Sequence, residues 1–137
     1  MEIGHHFERR LVLSRDDIAR FATEIGDTNP MHHDENYATA TRFGGLIASG
    51  AHPVALLVAL CGAQAKEGFP GVGLEFNFRL IAAVKPDTEL LLRWEVVAVE
   101  PKPKLKGRIL SLRGTALDGE GRQLVAADAK ILMSDAL

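Results

Sequence analysis

The sequence predicts an α+β protein: a curled antiparallel sheet of about five strands around one long buried helix. Three observations lead there. The run from Ala51 to Lys66 is apolar on nearly every face, through Val54, Ala55, Leu56, Leu57, Val58, Ala59 and Leu60, and a helix apolar all round is a buried helix. Four alternating segments follow it, between Leu74 and Met133, and a period of two marks half-buried strands. One more alternating segment, residues 6–13, precedes it.

In that first segment Phe7, Arg9, Leu11 and Leu13 oppose Glu8, Arg10 and Val12, giving a strand whose inward face is only partly apolar. Ser14 then opens a helix. Asp17, three residues on, forms a weak capping box with it, and Asp16 suits the positive end of the helix. Ile18, Phe21, Ala22 and Ile25 make the apolar stripe, and Gly26 fits the C-terminal cap. The polar stretch Gly26 to Asp34 is a loop. Its Asn29-Pro30 marks a turn, because proline disfavours the α region for the residue before it. Asp34 can cap a second short helix, Glu35 to about Arg42, with Tyr37 and Ala38 facing inward, and Phe43-Gly44-Gly45 breaks it.

Pro53 belongs in the first turn of the long helix, where its missing N–H costs nothing. Gly68 and Pro70 end that helix, and its length excludes a buried strand. Beyond it, Leu74, Phe76, Phe78 and Leu80 alternate; Pro86-Asp87 turns the chain; Leu90, Leu92, Trp94, Val96 and Ala98 alternate along a long strand. A basic turn, Pro101 to Gly107, leads to a third strand at about Arg108 to Leu117. Asp118-Gly119-Glu120-Gly121 is a hairpin turn. The last strand carries Val125, Ala127, Ala129, Ile131 and Met133 on one face, with Asp128 and Lys130 on the other. With no internal repeat and no linker, residues 1–137 read as one domain. One curled sheet covers only part of a wholly apolar helix, so a second copy is expected to cover more.

Composition narrows the function. The 137 residues are 47% hydrophobic and 25% charged with a net charge of −2, ordinary for a soluble globular protein. There is no basic block to bind nucleic acid. The N-terminus lacks the basic and apolar regions of a signal peptide, and Val54 to Cys61 is too short to span a bilayer. A cytoplasmic protein is expected. Cys61 stands alone inside an apolar run, so it reads as a small buried hydrophobe rather than a nucleophile.

The chemistry concentrates in Gly26-Asp27-Thr28-Asn29-Pro30-Met31-His32-His33-Asp34. Asp27 and His32 are five residues apart with a rigid turn between them, and a bent loop can bring both side chains onto one water molecule. On the residues alone, a helix-capping Asp and a surface His are the simpler explanation of the loop.

That loop, FATEIGDTNPMHHD from Phe21 to Asp34, together with FGGLIASGAHPVAL from Phe43 to Leu56 and the order of elements, resembles the MaoC-like dehydratases. These have the hot-dog fold and include (R)-specific enoyl-CoA hydratases. The resemblance covers nearly the whole chain. It implies that Asp27 and His32 are the catalytic pair and that Asn29 shapes the loop beside the substrate. Where the family often has His-Gly before the long helix, this chain has Ser49-Gly50, with His52 two residues later, and Val58 stands where some hydratases have a serine. The substrate implied is an acyl-CoA or acyl-carrier thioester, with no cofactor and no metal, handled by a homodimer or a dimer of dimers.

Hydration of a 2-enoyl thioester requires a base for the water, a proton for the α-carbon and a donor for the enolate oxygen. Asp27 and His32 can share the first two tasks. Gly50 precedes a helix start, whose N–H groups have no internal partner, and glycine lets a thioester approach closely. Its N–H is the expected oxyanion donor, with Ser49 and His52 as substrate-binding neighbours. His33 is expected on the surface, and Lys102, Lys104 and Lys106 in a solvated turn. Two other functions are open. A hot-dog thioesterase more often needs a carboxylate on or beside the central helix, and Pro53 to Ala65 contains none. A non-catalytic acyl-thioester binding subunit would not need the Asp27/His32 pair.

Overall fold

The computed structural model describes residues 1–137. Its strands are β1 (His6–Val12), β2 (Gly71–Leu80), β3 (Glu89–Lys102), β4 (Gly107–Leu117) and β5 (Gln123–Ser134). They form one antiparallel sheet in the order β1-β3-β4-β5-β2. Helices α1 (Arg15–Glu24), α2 (Glu35–Thr39) and α3 (Ala51–Ala63) fall between β1 and β2. The sheet curls about α3, as the hot-dog fold requires. No helix is long and apolar enough to cross a membrane.

The core lies between α3 and the concave face of the sheet. Leu90, Leu92, Trp94 and Val96 of β3 reach it with Leu110, Leu112 and Ala116 of β4, and all five alternating residues of β5 join them. Trp94 is the hub. Its indole N–H donates to the Leu57 carbonyl of α3 at 2.8 Å, and Phe76 and Phe78 meet its ring edge-on. Gly114 sits opposite Trp94 in the β3–β4 register. A Cβ there would lie 2.6 Å from the indole ring, so the absent side chain is what admits the tryptophan.

Local signals act as expected at α1. Ser14 and Asp17 form the reciprocal capping box, with bonds of 3.0 and 2.9 Å. Gly26 leaves the helix at φ 79°, the left-handed conformation that glycine adopts freely. The long helix closes earlier than its composition suggests: α3 ends at Ala63, and residues 64–67 tighten into a 3₁₀ turn before Gly68 at φ 87°. Likewise α2 stops at Thr39.

Side-chain direction departs from strict alternation at bulges in β2 and β3, and from the expected helix face at Tyr37. Leu74 is the extra residue of a β-bulge between Gly73 and Glu75 and lies exposed. A second bulge makes Val97 the extra residue of β3, so Val99, not Ala98, takes the next inward place. A bulge inserts one residue and reverses the facing of those after it. Tyr37 is exposed, because only Ala38 of α2 meets the core.

The chain does not cover α3 on every side. Leu57 and Leu60 are buried, while Ala51, Ala59, Gly62 and Ala63 are exposed. The helix instead meets α1 through His52, whose ring stacks on Phe21 with centroids 4.1 Å apart. His52 is buried and its Nδ1 has no hydrogen-bond partner. Burial lowers its pKa from the usual 6.5, with Asp17 opposing weakly. The unfolded chain therefore takes up this proton before the folded chain does, and stability falls as pH drops below 6.5. His52→Phe keeps the ring stack and removes the titration. Chemical denaturation across that range should give a flatter stability profile for the variant; parallel profiles would exclude His52 as the source.

Candidate active site

The loop after α1 is built by its own polar side chains. The Asp27 N–H donates to the Ala22 carbonyl at 2.8 Å and closes the helix end. Asp27 Oδ1 accepts from the Asn29 N–H at 3.1 Å, and Asn29 Oδ1 accepts from the Met31 N–H at 3.0 Å. These are successive Asx turns, in which a side-chain oxygen stands in for a backbone carbonyl. Pro30 starts the single 3₁₀ turn Pro30–His32. The result swings His32 back beneath Asp27.

His32 is buried, 5% exposed. Its Nδ1 lies 2.7 Å from the Ile47 carbonyl. A carbonyl only accepts, so Nδ1 carries the hydrogen, and in the neutral ring Nε2 carries the lone pair. Nε2 sits 3.2 Å from Asp27 Oδ2. The Ser49 hydroxyl, then the Asn29 N–H, hold the Asp27 carboxyl below the usual carboxylate range. Two acceptors therefore face each other, and a hydrogen must join them, supplied by a protonated imidazole or by a shared water.

The pair opens into a cavity of about 440 Å³ with a largely apolar wall. Ile47, Ala48, Ser49, Gly50 and Pro53 form one side; Leu80 to Val84, Val125, Arg42 and Phe43 form the rest. The Ala48 N–H donates to the Val84 carbonyl at 2.8 Å, tying the two sides together. Gly50 caps α3 with φ −56°, and no acceptor within the chain meets its N–H. A Cβ on Gly50 would meet Leu80 Cδ1 at 2.5 Å. The glycine thus leaves room for the end of Leu80 and is not needed for backbone conformation.

The structure brings Asp27, His32, Asn29, Ser49 and Gly50 to one cavity. It does not bring His52, which faces α1 from the far side of the helix start. His33 is exposed and its Nε2 meets the Asp27 carbonyl at 2.8 Å. Ser49 makes no cap to α3; its hydroxyl lowers the pKa of the Asp27 carboxyl instead. The basic turn lies at the Gly71/Met133 end of the sheet, opposite the Leu80/Val125 end that lines the cavity. Burial pushes the Cys61 thiol up to about 12, so it holds no thiolate at neutral pH. Sequence reasoning missed the wall itself. Residues 80–84, Val125, Arg42 and Phe43 carry no local signal that separates a lining residue from a core or surface one.

Comparison with known proteins places these features in a family. Residues 2–112 match the MaoC like domain. The chain is 40% identical over 119 residues to the uncharacterized protein YdeM of Bacillus subtilis, covering 82% of each. It is 33% identical over 84 residues to a 3-hydroxybutyryl-CoA dehydratase of Methylorubrum extorquens, spanning 58% of this chain and 51% of that protein. The structure superposes on the (R)-hydratase from A. caviae involved in PHA biosynthesis with a TM-score of 0.84 at 24% identity, covering 96% of both chains. The strand order, the central helix and the Asp-Asn-Pro-His loop thus have one common explanation: the chain belongs to the MaoC-like dehydratase family and has its hot-dog fold.

Proposed function

We propose that this protein is a hydro-lyase that adds water across the 2,3 double bond of an acyl thioester, or removes it, with (R)-specific 2-enoyl-CoA hydration as the reaction. One observation carries the reading: an imidazole nitrogen lies 3.2 Å from a carboxylate at the wall of a largely apolar cavity. The likeness to a 3-hydroxybutyryl-CoA dehydratase supports it.

In this reading a water donates one hydrogen to His32 Nε2 and the other to Asp27 Oδ2, leaving an oxygen lone pair for the β-carbon. As the C–O bond forms, the pair takes up one proton, and Asp27 stabilises the imidazolium that results. Electrons move into the thioester oxygen, where the Gly50 N–H meets the developing charge. The pair then returns a proton to the α-carbon, so the water is consumed and no net proton is left behind. The acid and base roles belong to the pair.

Asp27→Asn and His32→Ala should each lower turnover of crotonyl-CoA by at least about a hundredfold with the fold retained, His32→Ala at a lower melting temperature because it also removes the buried bond to Ile47. The double variant should be scarcely worse than either single one. Absorbance at the enoyl band with a parallel thiol assay reads this out. Loss of absorbance without free thiol is hydration, free thiol is hydrolysis, and binding without either is a non-catalytic subunit. Near-normal turnover in either single variant would overturn the assignment.

Gly50→Val and Ser49→Ala separate the two neighbouring roles. Valine meets no φ strain at position 50, but it displaces Leu80 and fills the approach to the N–H. Loss of one such donor costs roughly 3–4 kcal/mol in the transition state, so turnover should fall steeply while the melting curve holds. Ser49→Ala should act mildly and differently. Without the hydroxyl the Asp27 carboxyl loses its largest source of stabilisation as an anion, its pKa rises, and the acid limb of the pH–rate profile should move to higher pH. A severe Ser49→Ala with a mild Gly50→Val would transfer the oxyanion contact to the hydroxyl.

The exposed Ala51, Ala59 and Ala63 side of α3 supports assembly as a homodimer or a dimer of dimers. Light scattering should give at least twice the 14.9 kDa chain mass; an active monomer would contradict this.

A further inference from the structure

We propose that Arg42 is the anion-binding residue of this cavity, holding a negatively charged group of the bound thioester: a phosphate of its carrier arm or a carboxylate on its acyl chain. The proposal rests on the thioester reading above and adds to it a role that the hydration chemistry does not use. Asp27, His32 and the Gly50 N–H account for every charge that develops at the reacting carbons. None of them accounts for a guanidinium in the wall.

Three observations single out Arg42. It is the one residue of the cavity wall with a fixed positive charge. It has no carboxylate within ion-pairing distance, and of the four arginines of which that is true (Arg9, Arg42, Arg79 and Arg113) it alone lies in the cavity wall. Its guanidinium lies over the ring of Phe43, 5.0 Å from the centroid, and Phe43 is itself a wall residue. A guanidinium with one face on a ring keeps its N–H edge free, the edge that grips phosphates and carboxylates in a two-pronged contact.

The turn beneath the pair is held on both sides. Thr41 Oγ1 donates to the Ala38 carbonyl at 2.7 Å and accepts from the Phe43 N–H at 3.3 Å. The Gly44 N–H donates to the Thr41 carbonyl at 3.0 Å, with Gly44 at φ 70°. A fixed backbone and a stacked side chain leave less freedom to lose when an anion binds. The lysines of the basic turn stand at the other end of the sheet, so within one chain they do not compete for this role.

Binding of saturated thioesters, which cannot be hydrated, tests the proposal without turnover. Calorimetry compares butyryl-CoA, butyryl-pantetheine and glutaryl-pantetheine on the wild-type protein, Arg42→Gln and Arg42→Lys. Arg42→Gln should weaken a ligand carrying the relevant anion about tenfold, as expected for loss of one charge-assisted contact. It should leave neutral butyryl-pantetheine unchanged, and Arg42→Lys should restore part of the loss. A loss confined to butyryl-CoA assigns the carrier phosphate; one confined to glutaryl-pantetheine assigns the acyl carboxylate. Equal losses on all three ligands would make Arg42 a prop for Phe43 and overturn the proposal, as would unchanged affinities or no binding to the wild-type protein. Crotonyl-CoA turnover, measured alongside, keeps the two readings apart. Turnover with no dependence of binding on Arg42 sinks this inference alone, and an Arg42 effect without turnover sinks the hydratase reading alone.

Discussion

Everything at the site depends on the hydrogen bond from His32 Nδ1 to the Ile47 carbonyl. It is buried, 2.7 Å long, and joins the loop after α1 to the strap before α3. It fixes a hydrogen on Nδ1 and turns Nε2 toward Asp27. The same strap bonds through Ile47 N–H to the Met31 carbonyl and through Ala48 N–H to Val84. Loop, strap and the segment after β2 thus form one tied unit. The strap continues directly into Ser49, which tunes Asp27, and Gly50, which starts α3. A shift of the strap would move base, carboxylate partner and helix end together.

What holds that unit against the sheet is the Trp94 indole. Its bond to the Leu57 carbonyl reaches the helix two turns beyond Gly50, and the missing side chain of Gly114 gives the ring its seat. Helix position is therefore set at the centre of the core and transmitted along a rigid rod to the cavity. Interiors packed at crystal-like density transmit such placement with little slack.

Much of this was legible in the sequence. The capping box at Ser14, the left-handed exit at Gly26 and the cap at Asp34 are local chemistry, and local chemistry reads directly from residue order. The all-round apolar run named the central helix. The Asp27/His32 pairing needed the family resemblance, because a turn rich in polar side chains can aim them anywhere. Two things were not legible for physical reasons. Bulges at Leu74 and Val97 insert a residue without changing the alternating pattern around it, so facing beyond them cannot be counted. His52 sits only two residues from Gly50, yet the turn of the helix carries it away to Phe21. Adjacency in sequence does not mean adjacency in a cavity once a helix has begun.

Gly50 and Leu80 share one further property. A Cβ at position 50 would overlap only the end of the exposed Leu80 side chain, so the two positions, thirty residues apart, share one edge of the cavity. The bore of the entrance is therefore set by where a single flexible side chain rests against the start of the helix.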